Sequence, residues 1–445
     1  MTSKRQNPII FRWMRRMGEI FLRPMLLLSV AYACATEAQE VVAPRPQQRS
    51  ATSPGSNQVQ PRQASPVPQE TQPFQWGPLT LRPHLFERFL YGSGIQSSPD
   101  HSSVTAINEF SPGFILDAGS HWSLDYTPTW TVYSSKDFNN TVEHSVGLTG
   151  KTTFEDWVLS LSQSYVSSDS PLVDTARQTS QEIYDTAINA TRSLGSRMSL
   201  ELTANQNFRF TGDFTNGTNI TQNSANNVTE TLQWSTMDWL NYQFWPALGA
   251  GIGVGGGYVD VNEGSDQAYE QIQGRLQWTA TDKLSLQVQG GAEFRQFLDS
   301  GSGVTNQTRD IINPIYSASI EYQPFETTTV TLSVNATVTS SYFTDLVTER
   351  TSLKADLSQR LFGKLDLSLS GGYQFTDYTG LKSGNSGGVS AGSTAELYSF
   401  DAKLGTAFLK RGTISALYHF SHNSSSDSGF GFSSHQVGLE VGYRY

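Results

Sequence analysis

Hydrophobic and polar residues alternate with a period of two along most of the chain after Leu79. The alternation is clearest in residues 436–445, where every second side chain is apolar and the others are polar or glycine. The apolar members are Val437, Leu439, Val441, Tyr443 and Tyr445. A period of two is typical of β-strands, and it gives each strand one apolar face and one polar face.

Short polar turns and longer polar loops alternate between the predicted strands. The turns are expected near residues 118–120, 154–156, 195–197, 236–239, 281–283, 323–327, 361–364 and 409–412. The loops, rich in Gly, Ser, Asn, Asp and Thr, are expected near residues 90–103, 134–140, 167–181, 211–223, 260–267, 298–310, 344–347, 379–393 and 423–431. These connections separate about eighteen strands, and about sixteen would also fit, because strand boundaries read from a pattern shift by a few residues.

The predicted strands have the length and the connections of a membrane-spanning barrel. Strands of about ten to fourteen residues can cross the hydrocarbon layer at the usual tilt. The difference between short turns and long loops matches the two sides of bacterial outer-membrane barrels. The predicted fold class is therefore all-β: a transmembrane antiparallel up-and-down β-barrel with short periplasmic turns and longer extracellular loops. A soluble β-sandwich or propeller is the competing fold.

The first part of the chain, residues 1–38, reads as a secretory signal peptide. A long basic stretch precedes a short apolar run, residues 25–31, and small residues follow it. This run is too short for a membrane-spanning helix. The only cysteine, Cys34, lies in the segment, so cleavage after Ala35 or Ala38 would leave a mature protein without thiols. A lipoprotein cut before Cys34 is the alternative.

Residues 39–76 predict a disordered periplasmic linker. They are rich in Pro, Gln and Ser and hold few bulky apolar side chains that could repay the entropy of ordering. The linker would either tether the protein to the cell wall or a secretion partner, or act only as a spacer before the first strand. The predicted outer-membrane β-barrel then covers residues 77–445.

Charge and composition narrow the function classes. Removing residues 1–38 takes away six Lys/Arg and two Asp/Glu, which moves the formal net charge from −10 to −14. An acidic chain is a poor match for nucleic acid. Hydrophobic residues make up 37% of the 445 residues, which is low for a globular protein. A water-filled interior explains this value, because only the outward face of such a barrel must be apolar.

Charged residues of both signs fall on the polar faces of the predicted strands. Such a face stays hydrated only if it lines water, and a large barrel leaves room for an aqueous channel. The predicted lumen-lining residues are Glu201, Arg209, Arg275, Glu293, Arg295, Arg350, Lys354, Asp356, Asp401, Lys403, Glu440 and Arg444. They either set the selectivity of a conducting lumen or form cross-strand pairs that stabilise a sheet whose inner face contacts water. The mixture of signs predicts weak ion selectivity in both cases.

The candidate motifs for catalysis or cofactor binding are incomplete. The glycines of residues 249–255 alternate within a strand, whereas a dinucleotide site needs a strand, a turn and a helix. His419 and His422 are three residues apart, which places them on opposite faces of a strand and prevents a shared metal. A catalytic base also needs a neighbouring nucleophile and an orienting group. We therefore expect no enzyme activity, no cofactor and no metal site.

The signal peptide, the repeated turn–strand theme and the aromatic C-terminal strand together resemble a Gram-negative outer-membrane β-barrel. Within that group, residues 77–445 resemble the β-barrel porin type 2 family, which is associated with exopolysaccharide export. The resemblance implies a location in the bacterial outer membrane, contact with its lipid, and recognition of the last strand by the barrel-assembly machinery. The implied assembly signal consists of Val441, Tyr443 and Tyr445. A long acidic constriction loop, typical of general trimeric porins, is not evident.

We expect a porin-like channel that passes solutes or exopolysaccharide through a polar lumen. The alternative is a structural or adhesive outer-membrane barrel that is closed by its loops and transports nothing. The Ser/Gly/Asn-rich segments 167–181, 211–223 and 379–393 favour this alternative. A third interpretation is a soluble secreted β-protein such as a lectin.

Extraction behaviour separates the soluble interpretation from both barrel interpretations. We expect the protein to leave the membrane fraction only when detergent is added, because apolar strand faces need lipid or detergent around them. The measurement is membrane fractionation followed by washes with high salt and with detergent. Recovery of a monodisperse protein without detergent would contradict a membrane barrel.

Overall fold

The computed structural model describes residues 74–212, 228–262, 264–298, 310–343, 345–380 and 389–444. The predicted signal peptide, nearly all of the predicted linker, and Tyr445 lie outside these residues. The described residues form strands, turns and loops, without a helix. Accordingly, none of this part of the chain forms a helix that is long and apolar enough to cross a membrane.

Twenty-one strands follow one another along the chain. They are β1 (Phe74–Trp76), β2 (Leu79–Ser98), β3 (His101–Ala118), β4 (Trp122–Tyr133), β5 (Thr141–Phe154), β6 (Trp157–Ser168), β7 (Pro171–Leu172), β8 (Arg177–Gln178), β9 (Ser180–Ser193), β10 (Met198–Gly212), β11 (Thr231–Trp245), β12 (Leu248–Val261), β13 (Gln267–Thr281), β14 (Leu284–Phe297), β15 (Asp310–Phe325), β16 (Thr328–Ser340), β17 (Leu346–Leu361), β18 (Leu365–Gly380), β19 (Ser393–Phe408), β20 (Gly412–Ser425) and β21 (Phe432–Arg444).

Eighteen of these strands form a closed antiparallel barrel. Strands β2–β6 and β9–β21 each pair with the next strand, and β21 returns to pair with β2. The short strand β1 pairs only with the beginning of β2, and β7 and β8 form a separate two-stranded sheet in one loop. The predicted fold class, with its eighteen strands, is confirmed.

The closing seam carries a row of ion pairs on the inward face. Arg88 on β2 lies between Glu440 on β21, at 3.2 Å, and Glu109 on β3, at 3.3 Å. Lys403 on β19 reaches the same Glu440 carboxylate at 3.0 Å. The row therefore links the first and last parts of the barrel through side chains as well as through the backbone ladder.

The outward face is apolar, and its aromatic residues concentrate near the strand ends. On the last strand, Val437, Leu439, Val441 and Tyr443 are 44–56% exposed, as expected for side chains that face lipid. Exposed aromatics near the short-turn ends are Trp122, Phe154, Trp245, Phe325 and Phe408, and those nearer the loop ends are Trp130, Phe294, Tyr316 and Tyr398. Two aromatic belts around an apolar band are typical of a barrel in a bilayer.

The predicted loops near residues 211–223, 298–310 and 379–393 lie largely outside the described residues. The other predicted connections lie where the pattern placed them, with two errors. Residues 236–239 lie inside β11, and the turn is at residues 246–247. The prediction was wrong because polar residues interrupt the outward apolar positions of β11 and imitate a turn. Residues 90–103 are not a long loop, because β2 and β3 continue to a tight turn at Pro99 and Asp100. Bulges around the glycines near residue 93 had concealed the strand alternation.

The face assignment of the last strand predicts opposite responses to one substitution at two neighbouring sites. Leu439→Arg should destabilise the barrel by roughly 2–4 kcal/mol, because it places a charge among lipid chains. Gln436→Arg is the matched control on the inward face and should cost roughly 1 kcal/mol or less, the range of ordinary surface substitutions. Urea unfolding of the protein in lipid vesicles measures both. Equal effects of the two variants would contradict the assigned faces.

Candidate functional site: the lumen and its loop end

The twelve predicted lumen-lining residues all lie on the strand faces opposite the exposed apolar side chains. They do not share one environment. Lys354, Asp401 and Lys403 are 44–54% exposed. In contrast, the side chains of Glu293, Arg295 and Arg350 are only 1–7% exposed, because other parts of the chain cover them. Their role in selectivity stays a prediction.

The connection between β6 and β9, residues 169–179, folds into the barrel and is called the inward loop below. Its base is held by Glu143 on β5, whose carboxylate accepts hydrogen bonds from Ser168, at 3.0 Å, and Ser170, at 2.6 Å. Its second strand is held by Gln178, which bonds the backbone of Asn139 at 2.8 and 3.1 Å. These contacts direct the tip of the inward loop away from its own wall.

The tip of the inward loop binds the opposite wall of the barrel. The Asp174 carboxylate accepts hydrogen bonds from Arg350 Nη2 on β17, at 3.0 and 3.3 Å, and from the Tyr378 hydroxyl on β18, at 3.1 Å. In the ring of strands, β17 lies halfway round from β6, so this contact spans the lumen. The three side chains form a latch, defined here as Asp174, Arg350 and Tyr378.

The ends of β16 and β17, residues 337–343 and 345–350, form a second inward segment, called the β16–β17 tip. Pairing between β15 and β16 stops at Tyr316 and Ala336, while β16 and β17 stay paired to their ends. Arg295 on the inward face of β14 donates to the Val338 carbonyl at 3.3 Å. The tip therefore lies on the lumen side of β14 and β15.

An apolar cluster joins the two inward segments at the loop end. Its buried members are Leu172, Ala176, Tyr342, Phe343, Leu346, Tyr378, Val389 and Phe430. Ala176 is fully buried and has a left-handed backbone, with φ of 56°. Such a conformation is uncommon for a residue other than glycine and persists only where its surroundings hold it. The described part of the loop end is therefore a packed structure.

Beneath the β16–β17 tip, Glu293 and Arg295 form a buried ion pair with a complete set of partners. Arg295 Nε donates to Glu293 at 2.7 Å and Nη1 donates to Gln267 at 2.6 Å. Gln271 donates to the second oxygen of Glu293 at 2.6 Å. The guanidinium carbon of Arg295 lies 4.8 Å from the centre of the Tyr269 ring. A pair removed from water needs such additional hydrogen bonds to offset its desolvation.

Glycines on the inward face of β12 make room for aromatic side chains. A Cβ atom at Gly253 would lie 2.7 Å from the ring of Trp239, and one at Gly257 would lie 2.4 Å from that of Tyr269. Arg275 stacks on Trp239, with its guanidinium carbon 4.3 Å from the ring centre, and bonds Glu201 at 2.5 Å. The glycine run thus shapes the lumen wall.

Tyr342 in the β16–β17 tip contributes a neutral hydrogen-bond donor. Burial raises the pKa of its phenol, and the nearby Arg209 guanidinium, 4.1 Å from the ring centre, only partly opposes this shift. The hydroxyl donates to Gln181 at 3.2 Å. Arg209 also donates to the Ser341 carbonyl at 2.9 Å, so the tip is fixed to the wall formed by β9 and β10.

Sequence reasoning found Arg350 but missed the other two latch residues, Asp174 and Tyr378. Asp174 looks like one of many polar loop residues, and Tyr378 looks like the end of a strand. The nearest signal was the mixture of Leu172, Val173 and Ala176 within a polar loop, since apolar residues in a loop need a packing partner.

The described residues contain no group of three His, Cys, Asp or Glu side chains that could hold a metal ion. His419 faces the lumen and pairs with Asp401 at 2.5 Å. His422 lies on the other face of β20, beside the ring of Tyr398.

Comparison with known proteins finds similarity only among solved structures. No family model matches the chain, and no curated protein matches it. Matching crystal structures include OccK2 (OpdF) of Pseudomonas aeruginosa, 11% identical with a TM-score of 0.43, covering 82% of this chain and 98% of that one. OccAB2 of Acinetobacter baumannii is 13% identical, with a TM-score of 0.43 and coverage of 82% and 98%. OprD of Pseudomonas aeruginosa is 12% identical, with a TM-score of 0.40 and coverage of 82% and 95%.

Similarity at this level identifies neither a family nor a ligand, so the resemblance to the porin type 2 family stays a prediction. The location follows from the barrel itself. A closed barrel with an apolar exterior and two aromatic belts satisfies its backbone within lipid, and bacterial outer membranes hold such barrels. The predicted location in the bacterial outer membrane and the contact with its lipid are confirmed.

The buried pair under the β16–β17 tip predicts a clear difference between single and double substitution. Arg295→Met should destabilise the barrel by roughly 3–5 kcal/mol, because the Glu293 carboxylate is left buried without its partner. Replacing both, with Glu293→Leu and Arg295→Met, should recover most of that loss, because no buried charge remains. Urea unfolding in lipid vesicles measures both variants. A double variant as unstable as the single one would contradict the explanation.

Proposed function

We propose that the protein is an outer-membrane channel that passes small hydrophilic solutes through its polar lumen. The observation that carries the proposal is the inward face of the closed barrel, which is polar and charged, including the exposed Lys354, Asp401 and Lys403. A barrel of eighteen strands is wide enough for water unless other parts of the chain fill it. A hydrated, charged interior is useful for conduction, whereas a barrel filled by its own side chains has little need of one.

In this proposal the inward loop and the β16–β17 tip control the passage. They meet at the loop end through the latch and the apolar cluster. A solute then passes either beside these segments or after they separate. Acidic and basic side chains alternate on the inward face, so we propose weak selectivity between small cations and anions.

Exopolysaccharide passage is a narrower form of the same proposal. A polymer chain needs a continuous opening along the barrel, so both inward segments would have to leave the lumen together. The latch is a single ion pair with one tyrosine hydrogen bond, which a partner could release more easily than a covalent closure. The proposal therefore requires an export partner on the periplasmic side, which residues 39–76 could contact.

A structural or adhesive barrel is the second candidate. The apolar cluster favours it, because eight buried side chains pack at the loop end as a small core. Both candidates share the same proposed assembly route, in which the barrel-assembly machinery recognises the last strand through Val441, Tyr443 and Tyr445. Val441 and Tyr443 face outward and are 45% and 44% exposed.

Breaking the latch separates the two candidates. We expect Asp174→Ala to raise single-channel conductance in a planar bilayer severalfold over the native protein, because the inward loop loses its bond to the opposite wall. Native channels should open briefly or at low conductance. The measurement uses full-length folded protein in both cases.

Asp156→Ala is the matched control for the latch experiment. It removes the acidic partner of Arg192 from an exposed pair, with 3.3 Å between the charged atoms, near the short-turn end. Such a pair contributes little to stability, so this variant should conduct as the native protein does. Silence of the folded native protein and of Asp174→Ala alike would contradict the channel and favour the structural barrel.

A further inference from the structure

Four neighbouring strands carry polar side chains on the face that otherwise meets lipid. Gln163 on β6 lies opposite Thr186 on β9, and Thr186 lies opposite Gln206 on β10. On β11 the register neighbour of Gln206 is Trp234, and Asp238, four residues further toward the short turn, is the polar residue at the level of the other three. Even-numbered residues of β11, such as Leu240, face outward. These four residues, Gln163, Thr186, Gln206 and Asp238, are called the outward polar strip.

The strip lies at one level of the barrel. Its members are about six to eight residues from the short-turn ends of their strands, which are Trp157, Ser193, Met198 and Trp245. With a strand rise of 3.2–3.4 Å per residue and the usual tilt, this corresponds to roughly 15–20 Å above the short turns. The strip therefore lies within the upper part of the apolar band, or at its upper edge, rather than at the tips of the loops.

Polar groups at this level are costly unless another protein group covers them. Lipid chains offer no hydrogen bonds, so an amide or carboxylate facing them loses the bonds that water would provide. Asp238 accepts one bond, from the Thr203 backbone N–H at 3.4 Å. A carboxylate can accept about four hydrogen bonds, so this contact leaves most of its capacity unused.

We propose that the outward polar strip is the contact face between two copies of this chain, related by a two-fold axis along the membrane normal. Such an axis keeps every residue at its own level and pairs each residue i with j while j pairs with i. An axis between β9 and β10 brings Gln163 to Asp238 of the second copy, and Thr186 to Gln206 of the second copy. Each pair joins an amide donor to an oxygen acceptor.

The apolar residues of the face fit this arrangement. On its two central strands Ala190 lies opposite Leu202 and Ala204 lies opposite Ile188, so a large side chain of one copy can pack against an alanine of the other. The self-complementary order of the strip argues for a second copy rather than an unrelated partner. Glu87 also faces outward, but its register neighbours are Phe110 and Val441, so it has no comparable strip around it.

The inference is independent of the proposed function, since a conducting barrel and a structural barrel could both dimerise through this face. Cysteine cross-linking in native membranes tests it directly. In a Cys34→Ser background, a variant with both Gln163→Cys and Asp238→Cys should form a disulfide-linked dimer on oxidation. Within one chain these positions are three strand spacings apart, about 14 Å, and a four-residue register offset adds to this distance, so an internal disulfide cannot form.

Three controls make the cross-linking result specific. Each single-cysteine variant should give at least tenfold less dimer than the double variant, because a two-fold axis does not place either residue against itself. A pair made with Glu87→Cys and Asp238→Cys should behave like the singles. Heat-modifiable migration on gels checks that every variant is folded.

Molar mass in mild detergent gives a second readout. The native protein should have twice the mass of one chain, and the combined Gln163→Leu and Asp238→Leu variant should be monomeric yet folded, because leucine suits a lipid-facing site. A double-cysteine variant that stays uncrosslinked in membranes, or that cross-links no better than the Glu87 control, would overturn the proposal. Efficient cross-linking of a single-cysteine variant would also overturn it, because the axis would lie elsewhere.

Discussion

The structure depends on one constraint: in lipid, every backbone N–H and C=O group of the wall must find its partner within the protein. Pairing of β21 with β2 meets this constraint by removing both edges of the sheet. The ion pairs of Arg88 with Glu440 and Glu109 strengthen the same seam from the inside. Once the sheet is closed, the period of two assigns one set of side chains to lipid and the other to the interior.

Closure leaves a large internal space, and the two inward segments fill part of it. A barrel of this width encloses more space than its wall side chains fill. The inward loop and the β16–β17 tip occupy the loop end, where they bury an apolar cluster and two charged groups, Arg295 and Arg350, with their acidic partners. The interior therefore has two regions: a packed loop end and a part below it in which Lys354, Asp401 and Lys403 are exposed.

The same alternation explains where sequence reading succeeded and where it failed. The strand count, the face of each charged residue and the outward set of the last strand all follow from local periodicity. The predicted turn at residues 236–239 was wrong because Thr236 and Asp238 place polar groups on a lipid-facing surface. The error and the outward polar strip share Asp238, a polar residue on the lipid-facing side of β11 for which we propose a contact with a second copy.

The residue pattern alone specified a large antiparallel barrel with one water-facing and one lipid-facing side, because every second residue carries that information. It also determined which charged residues point inward. Which of them are exposed depends on the packed inward segments: Lys354 and Lys403 are exposed, whereas Arg295 and Arg350 are covered. The latch joins Asp174 to residues 176 and 204 positions later in the chain. Such contacts depend on the closed ring, which brings opposite walls within reach of one loop, and no local pattern encodes that distance.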